Sequence, residues 1–316
     1  MGTVTTINDN NIKDLVYSYF YTKINLPENL KDISNWDVSA VTNMSELFGS
    51  INELNESLND WNVSNVTDMS YMFSGCTNFN QPLDKWNVSN VTDVYGMFSG
   101  CTRFNQLLNF NQPLDTWNVS NVKDMSYMFN GCKNFNKPLD KWNVSKVEIM
   151  SYMFNNCKNF NQELKSWNVS NVKNMSSMFS GCKNFNKPLN FNQELNSWNV
   201  SNVTDMSYMF SGCTNFNQEL NSWKVSSKVT DMSYMFSGCK NFNKPLKSWI
   251  VSKSKVTVSN PKLTVMDSMF IDCGISNENK PGEDSLLAGG KKRKTKKTKK
   301  RKQTNKKIKK TKKMRK

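Results

Sequence analysis

The sequence has 316 residues, with 42 Lys+Arg against 26 Asp+Glu, eight Cys, nine Trp and no His. Without histidine, a Ser-His-Asp or Cys-His catalytic set and any His-containing zinc site are excluded. The formal charge of +16 misrepresents most of the chain, because residues 291–316 hold 18 of the basic groups and no acid, leaving 24 bases and 26 acids in residues 1–290.

Residues 1–35 read as an entry segment. Their start, MGTVTTINDN, lacks the basic and apolar regions of a secretory signal, and no run of 18 apolar residues occurs in the chain. The sequence therefore predicts no membrane span and favours an intracellular or virion-associated protein, with nuclear targeting through the basic tail left open. Ile12, Leu15, Val16, Tyr19 and Phe20 stand at i, i+3, i+4, i+7 and i+8 behind Asp9, Asn10 and Asn11. That spacing predicts an amphipathic helix over 10–23, placed to lid the end of a repeat array.

From residue 36 to about residue 275 one pattern recurs. Trp36, Trp61, Trp86, Trp117, Trp142, Trp167, Trp198, Trp223 and Trp249 follow one another at 25, 25, 31, 25, 25, 31, 25 and 26 residues, which is the signature of a solenoid of stacked coils. The unit WNVSNVTDMSYMFSGCTNFNQPLDK (Trp61 to Lys85) carries nine apolar side chains. At about 1.5–3 kcal/mol each, they fall short of the roughly 1–2 kcal/mol per residue needed to order its backbone, so a lone unit does not fold. Met69, Met72, Phe73 and Cys76 at i, i+3, i+4 and i+7 predict a helix of one or two turns, capped by Thr67 or Asp68 and ended by Gly75. Trp86-Asn87-Val88 and Leu83 predict short strands paired in parallel between coils. The fold class expected is an α/β repeat protein, a solenoid of about nine rungs.

The eight Cys occupy one position of the unit, three residues after its Phe. Coil 1 has Ile51 there, which points to a column of reduced thiols packed as small hydrophobes rather than to disulfides. The two 31-residue spacings come from doubled hexads, Phe104–Leu114 and Phe185–Leu195, predicted to bulge from one edge. Asp68, Asp93, Asp124, Asp205 and Asp231 recur at a position that also holds Asn43, Ile149 and Asn174, so local capping accounts for them better than a cation ladder. Asn62-Val63-Ser64 and its copies read as turn formers.

Residues 276–290, with Pro281, Gly282, Gly289 and Gly290, read as a linker, and residues 291–316 as a disordered polybasic tail. Within the tail, Lys291, Lys292, Arg293, Lys294, Lys296, Lys297, Lys299, Lys300, Arg301 and Lys302 are candidate polyanion-binding residues, for nucleic acid or an acidic membrane surface.

The frame Trp-Asn/Asp-Val-Ser-x-Val-x-x-Met-Ser-x-Met-Phe-x-x-x-x-x-Phe-Asn, borne by Trp61 to Asn80 and its copies, resembles the BspA-like leucine-rich-repeat surface proteins over residues 10–275. The resemblance implies a right-handed LRR-like solenoid, attachment to host or neighbouring-cell molecules, and no catalytic residues. The tail after Gly289-Gly290 is similar to C-terminal tails on proteins of large cytoplasmic DNA viruses.

No nucleotide-binding glycine loop or C-x-x-C pair occurs, so no cofactor is predicted and the chain is not expected to be an enzyme. Its expected function is recognition of an unidentified protein or glycan ligand through the ladder faces of the solenoid. The candidate interaction stripe precedes each Trp and includes Asp84, Lys85, Asp115, Asp140, Lys141, Lys165 and Lys247, while Lys133, Lys158, Lys183 and Lys240, after the Cys ladder, form a second, basic column.

Overall fold

The computed structural model describes residues 5–22, 26–103, 114–185, 195–225, 228–249 and 268–281. Between Trp36 and Trp249 the chain winds into coils stacked in register. Single-residue parallel bridges link Asn43, Asp68, Asp93, Asp124, Ile149, Asn174, Asp205 and Asp231 in succession. These bridges run through the Asp column and not, as the sequence pattern predicts, through Trp-Asn-Val.

The predicted helix inside each unit does not form in the described coils. An α-helix needs each N–H to reach the carbonyl four residues back. Here every second amide turns away to the next coil, with Met69, Tyr71, Phe73 and Gly75 donating to Asp93, Tyr95, Met97 and Ser99 at 2.7–2.9 Å. The amides between them close tight turns, Met72 to Met69, Ser74 to Tyr71 and Cys76 to Phe73. Tyr71 (φ 54°) and Gly75 (φ 75°) lie in the left-handed region, which a right-handed helix excludes. The apolar side chains still share one face, because a ribbon of such turns buries Met69, Met72, Phe73 and Cys76 just as a helix would.

Two side-chain ladders tie the coils together inside the core. From Trp86 onward each Trp indole donates to the Leu carbonyl of the coil before it, as Trp86 does to Leu58 at 2.8 Å and Trp117 to Leu83 at 2.9 Å, and Trp61 donates to Ile33 in the same position. The seven buried Cys thiols each donate to the preceding coil's Phe carbonyl, as Cys101 does to Phe73 at 2.9 Å, whereas Cys273 reaches the Phe242 carbonyl only at 4.0 Å. The indoles stack at 6.0–6.5 Å within 10° of parallel, as in Trp142–Trp167 and Trp223–Trp249. All nine Trp are buried. The eight Cys are unpaired, seven of them buried and Cys273 half-buried. The thiol's role explains Ile51: coil 1 has no preceding Phe carbonyl to accept from a Cys there.

The N-terminal segment completes coil 1 by imitation. The first helix, α1 (Ile12–Tyr17), continues as a wider turn over Ser18–Thr22. Its buried Ile12, Val16 and Phe20 face the array, with Tyr19 edge-on to Trp36 and Phe20 edge-on to Phe48. Trp36 donates to Leu30, which stands in for the Leu of a missing coil. Likewise Asp9 accepts from the Thr42 and Asn43 amides and from the Thr42 hydroxyl, where coil 2 uses a backbone carbonyl, Thr67 donating to Thr42.

At the far end, Phe270 stacks on Phe236 at 5.6 Å and the Lys280 ammonium lies 5.8 Å over the Phe270 ring. Residues 276–281, which the sequence assigns to a linker, bond back to coil 8. Leu246 donates to Asn279, and the Asn279 side chain donates to Asn243. The doubled hexads, the rest of the linker and the tail lie outside the described residues, apart from the short 3-10 turns Leu114–Thr116 and Leu195–Ser197. Among the described residues no helix is long and apolar enough to cross a membrane.

Candidate recognition surface

The second left-handed position of each coil is met by Gly in coils 2, 3, 4, 6, 7 and 8, and by Ser50 and Asn156 in coils 1 and 5. The first is different. It holds Tyr71, Tyr127, Tyr152, Tyr208 and Tyr234 at φ 54–59°, with Glu46 in coil 1, Gly96 in coil 3 and Ser177 in coil 6. A non-Gly residue in this region costs about 1–2 kcal/mol, and an aromatic stack returns about 0.5–1.5 kcal/mol. Stacking therefore offsets much of the backbone cost, and partial burial of the rings adds to it, so the column holds rings at the surface at the expense of backbone strain.

The rings form a surface column all the same. Tyr127 and Tyr152 stack at 4.6 Å and 5°, Tyr208 and Tyr234 at 4.8 Å and 17°. In coil 3 the column keeps a ring although its usual slot is Gly96: Tyr95, one residue earlier, packs on Tyr71 at 5.0 Å and on Tyr127 at 5.4 Å. The Tyr71 ring lies over Gly96 so closely that a Cβ there would sit 2.7 Å from it. The most exposed rings are Tyr71 (38%) and Tyr208 (39%), the first of each run, because Glu46 and Ser177 leave their near faces without a stacked neighbour.

The Asp column runs beside the tyrosines. Asp68 accepts from the amide and hydroxyl of Ser70, and Asp205 and Asp231 do the same with Ser207 and Ser233. These aspartates thus cap turns, not helices. Burial pushes the Asp93 carboxyl up against the lowering effect of the Tyr95 amide, and the neighbouring Asp68 and Asp124 carboxylates push it further. Tyr208 is raised by burial and then by Tyr234 and Asp231, which places phenol and carboxylate within electrostatic reach.

Several charges of the predicted stripe bond from coil to coil. Lys85 pairs with Asp60 at 2.7 Å, Lys141 with Asp115 at 2.7 Å, and Asp84 accepts from Asn59 at 3.0 Å. Lys165 pairs within its own coil, with Glu163 at 2.9 Å. The Asp140 carbonyl accepts from Ser166, and Lys247 is exposed. The second column differs: Lys133, Lys158, Lys183 and Lys240 are exposed, and the ion pairs among the described residues do not include them. The ten tail residues from Lys291 to Lys302 lie outside the described residues.

The thiols offer no chemistry. Burial pushes Cys76 up to about 12 and Cys101, Cys157, Cys213 and Cys239 well above the usual thiol range, so they stay protonated donors. Among the described residues no group of three His, Cys, Asp or Glu is placed to hold a metal ion. The tyrosine column is the feature that the sequence reading does not single out. Its signal is a Tyr between the paired Met of MSYMF in coil after coil, outside the i, i+3, i+4, i+7 set from which the helix is predicted.

Stacked coils, aromatic and thiol columns within and polar columns without define a repeat solenoid. The chain matches the family described as "Mycoplasma protein of unknown function, DUF285" over residues 14–110, 106–190 and 185–280, and it belongs to that family. The three matches meet at the two doubled hexads, so those insertions mark the joints between blocks of about three coils. Among solved structures, the chain is similar to a leucine rich cell surface protein from Faecalibacterium prausnitzii A2-165, with 13% identity, 70% of this chain and 81% of that chain covered, and a TM-score of 0.29. It is also similar to a leucine-rich repeat protein from Eubacterium ventriosum ATCC 27560, with 14% identity, coverage of 78% and 85%, and a TM-score of 0.21. No curated protein matches the chain.

Proposed function

We propose that this chain is a non-enzymatic recognition module, a rigid solenoid that binds an extended protein or glycan partner along its exposed ladder faces. The observation that carries the reading is the tyrosine column, a run of surface rings repeated at a strained backbone position. A surface held in register by core ladders presents the same group at each coil, which suits a partner that is itself extended. We take the winding as right-handed, the hand favoured for chains of L-residues. Arrays of glycans and of extracellular proteins probed with the full chain test the reading. Binding that weakens when Tyr127, Tyr152 and Tyr208 are replaced by Gly supports it, and binding indifferent to these changes, or none at all, counts against it.

A second reading rests on the tail, whose 18 cationic groups without an acid suit electrostatic capture of nucleic acid or an acidic membrane, or nuclear targeting. Deleting residues 291–316 abolishes low-salt binding to DNA if this holds. Unchanged binding removes the reading.

A further inference from the structure

We infer that the band between the tyrosine and lysine columns, on coils 4 to 6, is a binding track for a linear acidic polysaccharide. The inference rests on the recognition reading above and names the partner class.

In each of these coils the chain runs from the tyrosine position to the lysine position in six residues. The side chains between alternate between core and surface. In coil 4, Met128, Phe129 and Cys132 are buried, while Tyr127, Asn130, Gly131 and Lys133 face outward. Coil 5 presents Tyr152, Asn155, Asn156 and Lys158 in the same order, and coil 6 presents Ser180, Gly181 and Lys183. Between the lysines and the tyrosine position, which coil 6 fills with buried Ser177, nothing is bulkier than asparagine. The floor stays low for a backbone reason: Gly131 and Gly181 sit at φ 75° and 76°, where only glycine is free of strain.

Charge selects the occupant. Lys133, Lys158 and Lys183 follow one another on three successive coils, about 4.8 Å apart by the spacing of parallel chains, without a carboxylate partner among the ion pairs of the described residues. Like charges directly stacked across strands oppose folding. A polymer with an anion at each repeat relieves that repulsion.

The tyrosines separate a polysaccharide from a nucleic acid. Single-stranded nucleic acids are held by bases stacked on open aromatic faces. Here Tyr127 is covered on both faces, by Tyr95 at 5.4 Å and by Tyr152 at 4.6 Å, which leaves no open face for a base, while its hydroxyl can donate to and accept from sugar hydroxyls. A sugar ring in an extended chain is about as long as one coil is thick, so successive rings meet successive coils.

The 18 cationic groups of residues 291–316 would attract any polyanion without selectivity, so the test uses the full-length chain with those Lys and Arg replaced by Gln, titrated with a heparin oligosaccharide. The expected result is saturable binding that weakens at least ten-fold in the Lys133→Gln/Lys158→Gln/Lys183→Gln variant. A several-fold loss is expected in Tyr127→Phe/Tyr152→Phe, with thermal melting lowered in neither variant. No binding by the tail-neutralised chain, equal binding by the lysine variant, or equal affinity for an oligo(dT) of the same charge overturns the inference. If it fails while tyrosine-dependent binding to a protein or neutral glycan persists, the recognition reading stands and this track alone falls.

Discussion

The indole N–H of Trp167 donates to the carbonyl of Leu139, one coil back, at 2.9 Å, and the same carbonyl accepts the Trp142 backbone amide at 3.1 Å. One oxygen thus joins the turn of its own coil to the aromatic column of the next. Trp167→Phe keeps a ring in the stack but removes the donor and leaves part of a buried volume empty. The expected loss is about 2–3 kcal/mol of unfolding free energy, from one hydrogen bond and a partial cavity, read by denaturant titration. A loss under 0.5 kcal/mol contradicts the ladder.

Thiol chemistry gives an independent check. Burial raises the Cys76 pKa to about 12, so at pH 8 roughly one molecule in ten thousand carries the thiolate that attacks a disulfide reagent. The native protein should react slowly with such a reagent at every Cys, and fastest at half-buried Cys273, while the denatured chain titrates all eight at once. Rapid reaction of several native thiols would show the column to be open.

The lid carries a pH dependence of known sign. Burial raises Asp9, but the hydrogen bonds from Thr42 and Asn43 outweigh it and the net shift is downward. A lowered carboxyl pKa contributes stability that is present above the unfolded value, about 3.9, and is lost as pH falls through the lower folded value. Amide exchange at Thr42 and Asn43, taken relative to the intrinsic rate at each pH, should therefore quicken below about pH 4. Asp9→Ala should quicken it at neutral pH too, with a stability loss of about 1 kcal/mol, as for a lost cap.

The last coil depends on one close approach. Gly274 donates to Cys239, and a Cβ at this position would lie 2.1 Å from the Lys240 carbonyl oxygen. Gly274→Ala should cost about 1–3 kcal/mol by forced displacement and expose the Leu246 amide that donates to Asn279, as hydrogen exchange would reveal. Unchanged protection at Leu246 contradicts the packing described for this end.

The tyrosine column separates structural from functional roles. Tyr152→Gly removes a stacked ring but relieves a left-handed backbone, two effects of opposite sign. Stability should stay within about 1 kcal/mol while ligand binding falls. A loss above 2 kcal/mol makes the ring structural.

Much of this architecture was legible in the sequence because a solenoid writes its core as columns. Trp61, Phe73 and Cys76 recur in phase, and in-phase apolar residues become stacked, buried ones. The lid was legible for the same reason, since Ile12, Val16 and Phe20 form one stripe. The turn ribbon was not. Met69, Met72, Phe73 and Cys76 give the same spacing for a helix and for turns whose alternate amides bond outward, and only the destination of those amides distinguishes them. Nor does a Tyr announce a positive φ, because its left-handed backbone is imposed by neighbouring coils. The Asp column misled on strand position: Asp68 bridges between coils through its backbone while its side chain caps a turn, two roles that a one-letter code does not separate.

The central claim is that coils in register hold the tryptophan column through cross-coil indole donors, and hydrogen exchange of the indole protons tests it most directly. The account predicts that the Trp61, Trp86, Trp117, Trp142, Trp167, Trp198 and Trp223 indole protons exchange only through opening of the array, as slowly as the most protected backbone amides. Exchange of most of these indole protons within the dead time of an ordinary NMR measurement would contradict it.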